Sequence, residues 1–600
     1  MCRIAAIVCD KVNSDDKRIY AMTEAMQKGG PDDFGYIINS DLGYALGHRR
    51  LSIIDLSPSG HQPMVDQETN TEIIFNGEIY NYKELKEELE HKGYQFNSKS
   101  DTEVLIKGYK EWGVNMLPKL KGMFAFVLID KTNQTLFAAR DHAGIKPLYI
   151  ARNRGDIFFS SEIRGIKAVD QSWEEYSNWK IWFLTFGFLP EPITTLVNVK
   201  PLPRGHYIII NLANKEEKIV AFYNYNYNNN IVPYQEAVKK TKELVNQAVK
   251  RHLIADVPVG VFLSGGIDSS ILAIIAQQQQ TSPIETISIY FDDQEYSEKE
   301  FQEIIVKKTG VKHLFYKITK EEFLSSWSDI YESLDQPSTD AINTHFICKY
   351  AQKNGLKVVL SGLGADEIFG GYPSINRAPK FNHYKRLAIA NKFIPTFINS
   401  SYPNKKLDFL DKNIEAAEYL LYRGLFTPKD VAKILGINEK EVWAEIKNFN
   451  FQENISMLIP QNKATYFETA IYMQSQLLKD SDIQSMWHSL ELRVPFLDID
   501  LMNYLNNLHP SVKFNKEKTK QLLVDAFIDV LPKKIWNRPK QGFTLPFGNW
   551  FKEMKIFTNP TIVPIWANSY FLKGKLNFAR LWAIFLIAPK ESLSTINDLD

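Results

Sequence analysis

The sequence predicts two domains of different class: an α+β N-terminal domain with layered sheets, then an α/β domain on a parallel sheet with a helical C-terminal part. Three observations predict this. Six hundred residues exceed what one hydrophobic core usually supports. Roughly the first 210 residues are rich in short β-type runs punctuated by Gly, Pro and Asn. Farther along, apolar strands alternate with amphipathic helices, the pattern of a parallel sheet covered on both faces.

Each element follows from local pattern. Glu72–Phe75, Met123–Ile129, Leu136–Ala139 and Tyr207–Ile210 read as strands, and Tyr82–His91 as a helix with Leu85 and Leu89 on one face. Phe222–Asn230 reads FYNYNYNNN, too Asn-rich for helix or strand, and sets the boundary between domains 2–221 and 222–600. Ala237–Leu253 has helical spacing. Val257–Leu263 is a strand feeding a helix from Ile267, and Ile284–Tyr290 a strand feeding a helix from Ser297. A helix at Asn343–Asn354 precedes a strand at Leu356–Leu360, and beyond Tyr372 the pattern is mostly helical.

Composition narrows the function classes. Lys+Arg is 71 and Asp+Glu 70, so there is no basic surplus of the kind a nucleic-acid or anionic-membrane coat carries. Neither partner is expected. Cys2, Cys9 and Cys348 are too few and scattered for a disulfide framework or a zinc site, which fits a reducing, cytoplasmic setting. The most apolar windows, Ile181–Leu189 and Leu581–Ala588, are about half a membrane span and read as core.

The strand Val257–Leu263 runs into Ser264-Gly265-Gly266-Ile267-Asp268-Ser269-Ser270 and a helix. Glycines allow close backbone approach, and free N–H groups at a helix start attract phosphate. Asp268 suits such a place if it holds Mg²⁺. The Walker pattern is absent, so γ-phosphate transfer is not the favoured chemistry. A second strand end reads Leu360-Ser361-Gly362-Leu363-Gly364-Ala365-Asp366-Glu367, and Asp366 is a natural second metal ligand at the same sheet rim.

The N-terminal half carries different chemistry. Trimming of the initiator Met would leave Cys2 with a free α-amine of pKa near ~8, a general base for its own thiol. Arg50 offers a fork for a carboxylate. Asn76 and Gly77 offer an oxyanion hole. Asp101 offers a carboxylate for an ammonium. Together these suit an amino-acid amide, glutamine. Bland alternatives are a start-strand core cysteine, an Asn-Gly hairpin turn and a helix-capping Asp101.

These motifs, with Gly30-Pro31-Asp32-Asp33, Arg140–Tyr149, Ser161-Glu162-Ile163, Leu478–Asp482, Arg493–Asp498 and Lys540–Pro546, resemble the glutamine-dependent asparagine synthetase family along the whole chain. The resemblance implies an αββα N-terminal-nucleophile glutaminase domain fused to an ATP-pyrophosphatase-type synthetase domain. It implies that Cys2 forms a glutamyl thioester and frees ammonia, with Arg50, Leu51, Ser52, Ile53, Ile54, Asn76, Gly77, Glu78 and Asp101 holding glutamine. It implies ATP as substrate, with Leu263, Ser264, Gly265, Gly266, Asp268, Ser269, Ser270, Ile289, Ser361 and Gly362 around nucleotide and pyrophosphate. Mg²⁺ falls to Asp268 and Asp366, and Lys540 to the charge at the α-phosphate. An internal ammonia tunnel and a homodimer are in keeping with it.

Three departures stand out. Arg3 follows Cys2 where the family has a small residue, and a long cation there is expected to point outward. Gly30 stands where the family's R-G-P-D pattern is expected to have arginine. Leu363 replaces the glutamate of S-G-E-G-x-D-E, and leucine can neither take a proton nor pair with an ammonium. The acceptor is therefore either aspartate, giving asparagine, or another carboxylate such as a uronic acid of a surface polysaccharide or a natural-product precursor.

Overall fold

The computed structural model describes the chain except residues 1, 11, 170–171, 292–297, 385, 387–405, 412–413, 515–517, 540–546, 552–562, 575 and 589–600. Among the described residues of the N-terminal half, twelve strands form two six-stranded sheets. Cys2–Val8 lies inside the first, antiparallel to Tyr44–Arg50 on one side and to Asp156–Ser160 on the other. In the second, Thr71–Ile79 pairs with Gly122–Asp130. Alternating inward residues of both sheets (Ile4, Val8, Leu46, Ile74, Val127, Leu136) share one buried cluster, as two packed sheets require. Helix Lys17–Glu24 covers the first sheet, and Tyr82–His91 and Asp101–Trp112 pack beside the second. Layers run helix, sheet, sheet, helix.

The C-terminal half holds a five-stranded parallel sheet ordered Lys312–Lys317, Glu285–Tyr290, Val259–Phe262, Val358–Leu360, Glu491–Arg493. Chain order reverses between Val259–Phe262 and Val358–Leu360. Ligands bind at such a switch point, beyond the strands' carboxyl ends. The two Ser-Gly loops leave these two strands, so the crevice between them is fixed by topology.

Lys312–Lys317 and Glu491–Arg493 complete the sheet without having been anticipated. The first reads as amphipathic and charged, and the second is only three residues long. The Asn-Gly pair is no turn: Asn76 and Gly77 sit inside the nine-residue strand Thr71–Ile79, opposite Ala125 and Phe124. Sheet pairing overrides the local turn preference there. A side chain at Gly77 would meet the Met123 carbonyl oxygen at 2.1 Å, so only glycine fits. Among the described residues, no helix is long and apolar enough to cross a membrane.

Two candidate active sites joined by one helix

Cys2 begins a strand and is buried. Its backbone N–H donates to Asn76 Oδ1 at 3.3 Å, while Asn76 Nδ2, buried with the rest of that residue, has no hydrogen-bond partner. A buried primary amide with an unused donor beside a thiol is costly unless a ligand oxygen completes it. Burial pushes the Cys2 thiol up from its ordinary value, so it rests protonated.

Arg50 faces this region but its fork is engaged. Nη2 donates to the carbonyls of Asp55 (2.5 Å) and Ile54 (3.3 Å), and Nη1 to that of Ser57 (3.3 Å). It thereby shapes the buried segment Leu51, Ser52, Ile53 and Ile54. Ser52 N–H donates to Asp32 Oδ2, and Ile53 O accepts from Asp256 of the C-terminal half. Asp101 heads helix Asp101–Trp112, capped by Ser100, and its Oδ2 accepts from Ile79 N–H at 2.9 Å. Burial pushes its carboxyl up to about 6. Glu78 is buried beside Glu491, and burial raises its carboxyl well above the usual range. Arg493 Nη2 lies 3.5 Å from Glu78 Oε1. Arg493 comes from the edge strand of the parallel sheet, so the second domain forms one wall of the first site.

The second site is a cavity of about 900 Å³ at the switch point. Leu263, Ser264, Gly266, Asp268, Ser269, Ile289, Ser361, Gly362, Leu363 and Asp366 line it. Gly265 and Ser270 stand just behind. Gly265 has φ +81, and a side chain on it would meet Phe301 Cβ at 2.9 Å. The Ser270 hydroxyl is buried with no hydrogen-bond partner at the start of helix Ile267–Gln278. Ser264 Oγ and Ser269 Oγ are 3.0 Å apart, bracing the loop. Gly362 abuts Asp268, whose Cβ an added side chain would meet at 3.0 Å, so the two loops touch.

Asp268 and Asp366 converge on one cation, the buried ammonium of Lys520, at 2.5 and 2.6 Å. Burial alone would pull that ammonium down, and the two carboxylates overcome it and hold it up. Two carboxylates sharing a point charge are a donor set that fits Mg²⁺. Lys520 was missed in the sequence because it lies 252 residues from Asp268. Lys540 lies outside the described residues. Nearby, Arg538 lines the cavity and donates to Gly265 O and Glu298.

Leu363 lines the same cavity as the acidic side chains Asp340, Glu367 and Asp480. Burial pushes Asp480 up to about 8, and burial with Asp366 pushes Glu367 up to about 7. Asp480 Oδ2 accepts from Ser338 at 2.5 Å. It rides on helix Lys479–Trp487, where two residues later Asp482 meets Arg3 and Lys146 of the first domain. Arg3 is thus fully buried, and the outward-pointing cation is corrected: two carboxylates draw it inside.

A four-layer domain with a cysteine on its first strand, joined through one helix to a phosphate-type crevice, defines a two-site amidotransferase. Residues 1–223 match the family model described as glutamine amidotransferase domain, and residues 240–563 that of asparagine synthase. The chain is 33% identical over 548 residues, 90% of its length and 85% of the relative's, to asparagine synthetase [glutamine-hydrolyzing] 1 of Bacillus subtilis. It is 28% identical over 618 residues, 92% and 90% of the two chains, to amidase chry2 of Gibberella zeae. A solved B. subtilis glutamine phosphoribosylpyrophosphate amidotransferase aligns over 52% of this chain and 65% of its own, at 17% identity and a TM-score of 0.29, too slight to carry an argument. The chain belongs to the asparagine synthetase family, and it is a glutamine-dependent ligase.

Proposed function

We propose that Cys2 attacks the glutamine amide carbon, giving a glutamyl thioester and ammonia, and that water then releases glutamate. The observation that carries this half is the unpartnered Asn76 Nδ2 beside Cys2, a donor already placed for an oxyanion. Glu78 and Asp101 take the glutamine ammonium, and the loop shaped by Arg50 takes its carboxylate. In the crevice, the Ser264–Ser270 loop and the helix start hold the phosphates of ATP. The acceptor carboxylate attacks the α-phosphorus, pyrophosphate leaves, and ammonia displaces AMP from the acyl-adenylate. Asp268 and Asp366 would hold Mg²⁺, which supplies charge neutralisation at the phosphates when bound. Lys540 neutralises charge at the α-phosphate.

Aspartate is the proposed acceptor, giving asparagine, in keeping with the relatives' printed names. One observation favours a second reading, the same mechanism on another carboxylate. Asp340, Glu367 and Asp480 line the cavity together with Leu363, and the cations among the described lining residues are Lys518, Lys520 and Arg538, of which Lys520 and Arg538 are held at the Ser264–Ser270 loop. The α-carboxylate of free aspartate gains little beside those acidic side chains. AMP formation with ammonia as nitrogen source, across a panel of carboxylic acids, decides between them. Aspartate-dependent AMP supports the first reading. Its absence, with turnover of another acid, supports the second. No AMP with any acid sinks both. We also propose a cytoplasmic setting and a homodimer, which the oligomeric state in solution would test.

A further inference from the structure

Along a strand, successive side chains leave opposite faces, so Cys2 and Arg3 point apart. Arg3 is fully buried. Its Nη1 donates to Asp482 Oδ2 at 2.7 Å, and its Nε donates to Glu162. The other Asp482 oxygen lies 3.2 Å from Lys146 Nζ, also buried. Arg164 Nε lies 2.6 Å from the second Glu162 oxygen and 3.6 Å from Asp335 Oδ1, so three cations and three carboxylates balance inside the contact between the halves of the chain. A guanidinium buried this way is held to one position, because every alternative leaves a charge unpaired in a medium that cannot solvate it.

The room for Arg3 comes from Gly29. A Cβ on Gly29 would sit 2.6 Å from Arg3 Cγ. Counting back from Pro31, the R-G-P-D pattern places its arginine at Gly29 and its glycine at Gly30, which corrects the expectation that Gly30 is the departed position. Within this chain, one guanidinium-sized space is therefore filled from residue 3 of the strand rather than from residue 29 of the turn.

We infer that Arg3 is the positioning residue through which the synthetase domain sets the nucleophile. It acts through the backbone. Arg3 fixes the start of strand Cys2–Val8 against helix Lys479–Trp487, and the Cys2 N–H to Asn76 contact depends on where that start lies. The same helix carries Asp480 into the ATP cavity, so one rigid element touches both sites. The inference rests on the proposal that Cys2 is the nucleophile.

The test uses the full-length protein, with glutaminase kcat and KM read alongside ammonia-driven AMP formation. For Arg3→Ala the glutamine kcat falls about 10- to 100-fold, the loss a small misplacement of a reacting group causes, with KM little changed. Ammonia-driven AMP formation stays within about twofold, because no group in that site is altered. The decisive variant is the exchange Arg3→Gly with Gly29→Arg, which returns a guanidinium to the same space. It recovers at least about tenfold of the kcat lost in Arg3→Gly alone. An unchanged glutamine kcat in Arg3→Ala overturns the inference, as does an equal loss of ammonia-driven activity. So does an exchange variant that is soluble and ammonia-competent yet no better than Arg3→Gly. Should Arg3→Ala not yield soluble protein, Arg3→Lys serves: it keeps the charge without the fork, and full glutamine kcat there overturns the inference. Cys2→Ala separates the two claims. If it keeps glutamine use, the nucleophile reading fails. If it loses glutamine use while Arg3→Ala is unaffected, only the positioning role fails.

Discussion

The two candidate sites are built by opposite means. The site around Cys2 is buried and strand-built. Cys2, Asn76 and Gly77 come from adjacent sheets, and its poised donor is a neutral amide left without a partner. The synthetase site is an open crevice built on loops and a helix start, with its charges compensated internally by Lys520. Acyl transfer from an amide develops one small negative charge, which one or two fixed donors can meet. Phosphate chemistry brings several negative charges at once, which suits a crevice whose carboxylates already share a cation.

This contrast can be broken from either side. The largest effect belongs to Cys2→Ala. Glutamine-driven turnover falls at least about a thousandfold, while ammonia-driven turnover persists. Paired assays with the two nitrogen sources check it, and equal losses would erase the division of labour. Asp366→Asn reverses the pattern: AMP formation falls about 100- to 1,000-fold with either nitrogen source, while glutamine hydrolysis alone is spared. Retained AMP formation would remove Asp366 from the phosphate site.

Asn76→Ala comes next. Loss of one oxyanion donor lowers the glutamine kcat by about 100-fold, with less change in KM. A KM-only effect would make Asn76 a binding group. Asp101 gives the smallest effect, through pH. Its carboxyl is pushed up to about 6 by burial, so the anion proposed to grip the glutamine ammonium is present above that pH and lost below it. Glutamine kcat/KM therefore declines as pH drops through about 6, and Asp101→Asn abolishes that limb. A profile with the same limb in Asp101→Asn would place the titrating group elsewhere.

The same contrast explains what could be read from sequence. Ser264–Ser270 and Ser361–Glu367 were legible because a loop leaving a strand keeps its ligands contiguous, and the strands that feed them are apolar runs. The glutaminase site was only partly so. Asn76-Gly77 carries a turn signature that pairing with Ala125 and Phe124 overrides. The groups that tie the sites together were out of reach, because their partners are distant. Arg3 meets Asp482 479 residues away, and Lys520 meets Asp268 252 residues away. Glu491–Arg493 is too short to show periodicity, yet it supplies Arg493 to the first site. Charged residues look like surface in a sequence, and only the fold reveals that these are buried and paired.

The central claim is that nitrogen freed at Cys2 is delivered to a carboxylate activated at the other site. Glutamine labelled with ¹⁵N in its amide, in excess unlabelled ammonium, with ATP and an acceptor the enzyme turns over, tests it directly. The account predicts ¹⁵N-labelled amide product, with one AMP and one pyrophosphate per amide formed. Product bearing only unlabelled nitrogen, or ATP cleaved to ADP and phosphate, would contradict it.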